Sequence, residues 1–597
     1  MKTKWIALLL TLCLVLPIGL ASAGDMVTEL PRNETLYFGG LAWSPAAGWS
    51  PLMGNASNWA NDQNGGGSRT MMFETPYMYN AMDGQLYPLL ADGDFAWNEE
   101  RTGIVYKIKP AAMWADGTKV TAHDAAATWQ AGFSTPQANA NWTPFVADVV
   151  ALDEETVEVQ ATLVDGQPAN SLMVTQFISQ QYILQKAWLE ALMERTGGDP
   201  AAVNIDPGDD IMWSGPYTKY FTDDTRIVLV RDDNYWGQDD SMWGQLPVPK
   251  YLVAMIYADN AGIKNALVAG EIDVSQAFID NIHLLWEAEG LPISTFMDEP
   301  PYGLCVNMPT IFFNQNVEIM RERALRQAIA WAVDYDAINQ NAMTGQSPTF
   351  EQVPRSLMNP TPGEQALYHR DDPEIVALQW VGNDIDAANA LLDEAGFERD
   401  ADGWRTFNGE KISLTAHCPF GWSDWEATIE IVAAAGAKIG IEITSQFPQE
   451  SAFYDQVVIN PDSVEFDIFM MWTNSTAPSE PWGRIRNLLS SEWVGMPNNW
   501  SGNWGQYTNE RADEIIKAIP LETDPAALMD LYTEIVKIYL TEVPSFSAMY
   551  RPDKFHAVNE SVWTGFTEDG DGRNVPPFNC VSGYAIADLY NIRLVGE

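Results

Sequence analysis

The side chains in this sequence best suited to holding a small molecule are indoles. There are 24 tryptophans in 597 residues, and many fall in segments that read as loops. Trp43 and Trp49 follow a predicted strand over Thr35–Gly39, and Trp422 and Trp425 flank a predicted helix start. Trp472 and Trp482 follow a predicted strand over Phe466–Met471, and Trp500 and Trp504 lie in the polar stretch 498–509. An indole face stacks on the apolar face of a sugar ring, and its N–H can serve a hydroxyl. One tryptophan alone is more often packing than ligand contact, so the expectation rests on the group, with at least three lining a cleft. Asn474 and Asn503, in the same loops, carry amides that both donate and accept. The candidate ligand residues are therefore Trp43, Trp422, Trp425, Trp472, Asn474, Asn503 and Trp504.

Other chemistry finds little purchase. His123, His283, His369, His417 and His556 show no His-x-x-x-His or His-Glu-x-x-His spacing, so no zinc site is expected. Cys305, Cys418 and Cys580 form no Cys-x-x-Cys. An exported chain could pair two of them, and the sequence does not say which. Asp400-Ala-Asp402-Gly403 and Asp569-Gly-Asp571-Gly572 begin like calcium loops but lack the third acid and the closing glutamate, so they read as turns. No nucleophile elbow, phosphate loop or dinucleotide fingerprint is present. A secreted glycoside hydrolase would need two carboxylates flanking a bond, and no pair stands out among 81 acids. The expectation is no catalytic residue, no metal and no cofactor, with that hydrolase as the enzymatic rival.

The elements that must position the indoles are those of an α/β body. Arg226–Arg231 is a β-branched run bounded by charge and reads as a strand. Ala261–Ala269 has helical spacing and ends at Gly270, a residue suited to the left-handed position after a helix. Thr121-Ala-His-Asp124 and Ser423-Asp-Trp-Glu426 both read as capping boxes. A strand over Lys411–Ala416 precedes the second box, giving a strand–loop–helix unit whose loop carries Trp422.

Met1–Ala23 reads as a secretory signal, with Lys2 and Lys4, an apolar core from Ile6 to Leu20, and Ala21-Ser22-Ala23 for cleavage. No cysteine follows that site, so a lipid anchor is not expected. Removing the leader moves the formal charge from −48 to −50. So acidic a surface repels nucleic acid and anionic lipid. A chain this long must divide its core among lobes.

Four stretches in order resemble the peptide-type, or family 5, solute-binding proteins of ABC transporters. They are Tyr106–Asp124, Ser214-Gly-Pro-Tyr217 through Asn234-Tyr-Trp-Gly237 to Gly270-Glu-Ile-Asp273, Arg323–Asp334, and Asn389–Phe397. The resemblance implies a two-lobed α/β periplasmic-binding-protein fold (type II, cluster C) with an inserted domain. It implies a first lobe from 24–69, 213–300 and 545–597, an insert over 70–212, a second lobe over 301–544, and hinges near Pro300-Pro301 and Pro544-Ser545. It further implies a non-enzymatic, exported protein that serves a membrane permease and its ATPase. Peptide-binding relatives carry Gly-Trp-x-x-Asp, whose acid pairs with a peptide amino terminus. Here Met471-Trp472-Thr473-Asn474-Ser475 has serine in that place, although Glu480 could substitute. Leu30–Trp43 and Pro419–Trp425 resemble the cello- and β-oligosaccharide branch. The expected ligand is thus an oligosaccharide, with an oligopeptide as the alternative.

Overall fold

The computed structural model describes residues 29–54, 58–61, 63, 68–133, 142–474, 476–522, 524–552, 554–577 and 582–596. The expected leader, Ser475 and Cys580 lie outside the described residues. Two sheets organise the molecule. The first has seven strands in the order Tyr217–Thr222, Arg226–Arg231, Tyr251–Ile256, Thr35–Ala42, Val274–Ser275, Ala557–Asn559 and Ile293–Thr295. Ile227, Val228 and Leu229 are all buried, as a continuous apolar strand covered on both faces requires. The helix Asn260–Val268 is capped by Asp259, whose carboxylate accepts from the Gly262 amide at 2.7 Å. Gly270 follows it at φ +70°, in the left-handed region.

The second sheet has five strands, in the order Glu442–Gln446, Ser413–His417, Ile468–Met471, Thr310–Phe313 and Ser545–Ser547. Ser545–Ser547 pairs with Thr310–Phe312, so the chain leaves this sheet after Ser547 and not before Ser545. The crossing itself is a short antiparallel ribbon, Cys305–Asn307 against Arg551–Pro552. A third sheet, of four strands, lies within residues 96–161. The chain thus has the two-lobed α/β architecture of periplasmic binding proteins.

Two sequence motifs have plain structural duties. Tyr235 and Trp236 both donate to the buried Glu74 carboxylate, at 2.5 and 2.8 Å, tying the first lobe to the start of the stretch 70–212. Arg326 is buried and donates to the carbonyls of Val543 (3.0 Å), Met320 (2.8 Å) and Glu542 (2.8 Å), joining the helix Arg323–Ala332 to the end of the helix Pro525–Glu542.

The first capping box is present, with the Thr121 amide donating to Asp124 at 2.8 Å. The second is not. The helix runs Ser423–Lys438 with Trp422 at the cap position, and Glu426 accepts from the Gly421 amide at 2.7 Å. Gly421 sits at φ +86° and turns the chain one residue earlier than the serine would. Asp400 and Asp571 accept amide protons of their own loops, so both acidic stretches are turns. Cys305 and Cys418 are buried free thiols.

Candidate ligand cleft between the lobes

Three tryptophans sit just beyond the carboxyl ends of parallel strands. Thr35–Ala42 runs parallel to Tyr251–Ile256 and ends beside Trp43. Ser413–His417 runs parallel to both Glu442–Gln446 and Ile468–Met471. The loop after the first of these carries Trp422, and the residue after the last is Trp472. Ligands of open α/β sheets lie at such strand ends. Here they surround a cavity of about 660 Å³ bounded by both lobes and the insert.

Trp43 and Trp422 come from opposite lobes, and their rings are 6.3 Å apart. Trp425 meets Trp422 edge-on at 4.8 Å. Trp425 reaches the cavity but is only 2% exposed, so it chiefly backs Trp422. Tyr454 packs edge-on against Trp472 (5.8 Å) and against the exposed Trp500 (5.1 Å), forming a second aromatic wall. Trp142 of the insert, together with Trp482 and Trp493, closes the far side. The lobes also touch directly. The Asn260 amide donates to Gly421 at 3.2 Å, and its side chain donates to Ser423 at 3.2 Å.

Of the residues expected at a ligand, Trp43, Trp422, Trp425, Trp472 and Asn474 line this cavity. Asn503 and Trp504 do not. Asn503 is 1% exposed, and its amide donates to the carbonyls of Ser490 (2.8 Å) and Tyr507 (2.7 Å). Trp504 is buried behind Trp472, edge-on to Phe312 at 5.5 Å, with its N–H on the Asn499 carbonyl at 2.8 Å. Both are structural because the polar loop folds onto its own sheet. Trp49 is likewise core.

Glu480 is not a free countercharge. It is buried behind Asn474, accepting from the Asn474 side chain (3.1 Å) and the Arg484 amide (2.9 Å). Arg484, fully buried, also pairs with Glu364 at 2.7 Å and donates to the Asn474 carbonyl at 2.9 Å. Burial pushes Glu480 up to about 7 even though Arg484 pulls it down.

Several cavity residues escaped the sequence reading, among them Gln180, Glu450, Arg486, Arg551 and Lys554. Arg551 pairs with the buried Asp424 at 3.0 Å. Arg486 pairs with Glu492 and lies over the Trp493 ring at 4.5 Å. Burial raises the Glu450 carboxyl above its ordinary range, against the opposing pulls of Tyr454 and Lys554. Nothing in their spacing marked them, because each reaches the cavity from a separate stretch of chain.

The chain belongs to the bacterial extracellular solute-binding proteins, family 5, whose middle-region profile matches residues 85–495. These are the ligand-binding components of ABC transporters. The oligopeptide-binding protein AppA of Bacillus subtilis is 22% identical over 470 residues, spanning 77% of this chain and 78% of its own. Its structure, solved with a nonapeptide, superposes at TM-score 0.71 with 18% identity, covering 94% of this chain and 99% of that one. The periplasmic oligopeptide-binding protein of Thermotoga maritima, solved with mannohexaose bound, superposes at TM-score 0.81 with 22% identity, covering 95% and 100%.

Proposed function

We propose that this protein is exported and captures an oligosaccharide of the cello or related β-linked type, then hands it unaltered to a membrane permease and its ATPase. The observation that carries the reading is the pair Trp43 and Trp422, presented from opposite lobes to one cavity. Closing the lobes brings the two indoles onto one guest and excludes water from it. Trp472 and Asn474 supply a further plate and a hydroxyl partner. Trp425 holds Trp422 in position. The chain divides at the two crossings, Pro300–Pro301 and just beyond Ser547, with residues 70–212 as the inserted domain.

A peptide needs a countercharge for its buried ammonium, because an unpaired buried charge is costly. Glu480 is engaged by Arg484 and Asn474. One observation favours the peptide reading, namely Glu450, which lines the cavity and could take that role. Names of several relatives, AppA included, point the same way. Tryptophan fluorescence titrated with cello-, manno- and laminari-oligosaccharides beside short peptides separates the two. Micromolar quenching by a sugar series supports the proposal. Silence toward every sugar with tight peptide binding overturns it.

A further inference from the structure

The cavity is rich in hydrogen-bond donors that the protein leaves unused. Among the described residues Lys554 donates no hydrogen bond; it lines the cavity and lies near enough to Glu450 to pull on that carboxyl without pairing with it. Arg486 engages Glu492 through Nε alone. Arg551 uses Nε on the Pro552 carbonyl (3.2 Å) and Nη1 on Asp424 (3.0 Å), leaving Nη2 uncommitted. Against these donors, Glu450 is the single carboxylate among the described lining residues.

Beside these cations a hydroxyl is a weaker partner than a carboxylate, although the side-chain amides of Gln176, Gln180, Asn474 and Asn487 suit the rest of a sugar chain. Each hydroxyl brings a donor along with its acceptor, whereas a carboxylate only accepts and offers about four lone-pair sites. Charge-assisted hydrogen bonds are also about twice as strong as neutral ones, and the planar guanidinium fork suits a carboxylate. The strongly acidic surface does not forbid an anionic guest. Screening confines surface charge to about 8 Å at physiological salt, so the cations inside the cleft dominate at contact.

We propose that the guest is an acidic oligosaccharide, with a uronate carboxylate received by Lys554, Arg551 and Arg486. This rests on the sugar reading of the same cavity. The test uses matched pairs: cellotetraose and mannotetraose, each beside the uronic acid of the same length and linkage, measured by calorimetry on the full chain. The expected result is at least about a tenfold preference for the acid in one pair, the difference between a charged and a neutral hydrogen bond. Added salt weakens the acid's binding more than the neutral sugar's. Lys554→Gln cuts the acid-to-neutral ratio severalfold, and an unchanged melting temperature shows that the variant folds. Neutral sugars bound as tightly as their acids, or a ratio unmoved by K554Q, overturns this inference and leaves the sugar reading standing. Failure of all four sugars, with or without peptide binding, overturns both.

Discussion

Replacing Arg484 with methionine tests the account of the Asn474 wall. Arg484 is fully buried between Glu364 and Glu480 and has no water to fall back on. Removing one partner from a buried ion network costs about 3–5 kcal/mol, because the remaining charges are left uncompensated. The cost must depend on pH, and its sign follows from Glu480. In the folded protein this group is pushed up to about 7, above its ordinary 4.5. The folded state therefore holds a proton that the unfolded chain releases, and stability falls as pH rises from about 4.5 through 7. Without the guanidinium the folded value rises further, so the fall continues past pH 7 at about 1.4 kcal/mol for each unit of added shift. At pH 5 the Glu480 carboxyl is protonated in the variant, so its share of the loss shrinks toward about 1–2 kcal/mol for the missing hydrogen bonds, while the share from Glu364 remains. Urea unfolding of both proteins at pH 5 and pH 8, followed by tryptophan fluorescence, reads the difference. An R484M penalty that is equal at the two pH values would refute the reasoning, as would one below about 1 kcal/mol at pH 8.

The wild-type protein shares this trend. Burial pushes Glu74 up to about 8, Asp588 up to about 7 and Asp273 up to about 6, so the stability these groups lend is full only below their ordinary values near pH 4 and is lost progressively from there up to pH 6–8. Its melting temperature is expected to be higher at pH 5.5 than at pH 8.5, which calorimetry checks. Trp422→Ala removes a half-buried cavity plate; about 100 Å² of lost apolar contact at 25 cal/mol/Å² is about 2.5 kcal/mol, or roughly a seventyfold weaker ligand. Trp504→Phe, made behind the cavity, lowers stability and leaves affinity within about twofold, because its ring meets protein and not guest; titration of both variants decides. Gly421→Ala strains a left-handed residue by about 1–2 kcal/mol in any lobe arrangement. A Cβ there would also stand 2.9 Å from the Ala258 carbonyl of the other lobe. G421A should therefore bind more weakly as well as melt lower, and scattering in solution should report a wider molecule.

Much of the strand and helix framework was legible because it rests on local rules. The run Arg226–Arg231 is a strand because it is β-branched between charges, and Gly270 ends its helix because only glycine sits easily at φ +70°. The second capping box failed for an equally local reason that spacing alone does not encode. Gly421 reverses the chain first, and Glu426 reaches the amide thereby exposed. The expected cleft side chains fared unevenly. Trp43, Trp422 and Trp472 follow the ends of parallel strands, a position readable from order and pattern. Nothing in the spacing of Asn498–Asn509 told Trp500, which reaches the cavity, from Trp504, which is sealed behind it.

By itself the sequence determined the scaffold, since alternation of strand and helix patterns with turn residues between them leaves few ways to lay down two sheets. It also determined that indoles would crowd the loops at strand ends. Tertiary structure alone decided which polar groups meet one another. Arg484 lies 120 residues beyond Glu364, and Arg551 lies 127 beyond Asp424. The first pairing depends on how the second lobe folds upon itself and the second on the crossing ribbon that carries Arg551, and together they settle which charges are spent within the protein and which stay free to meet a guest.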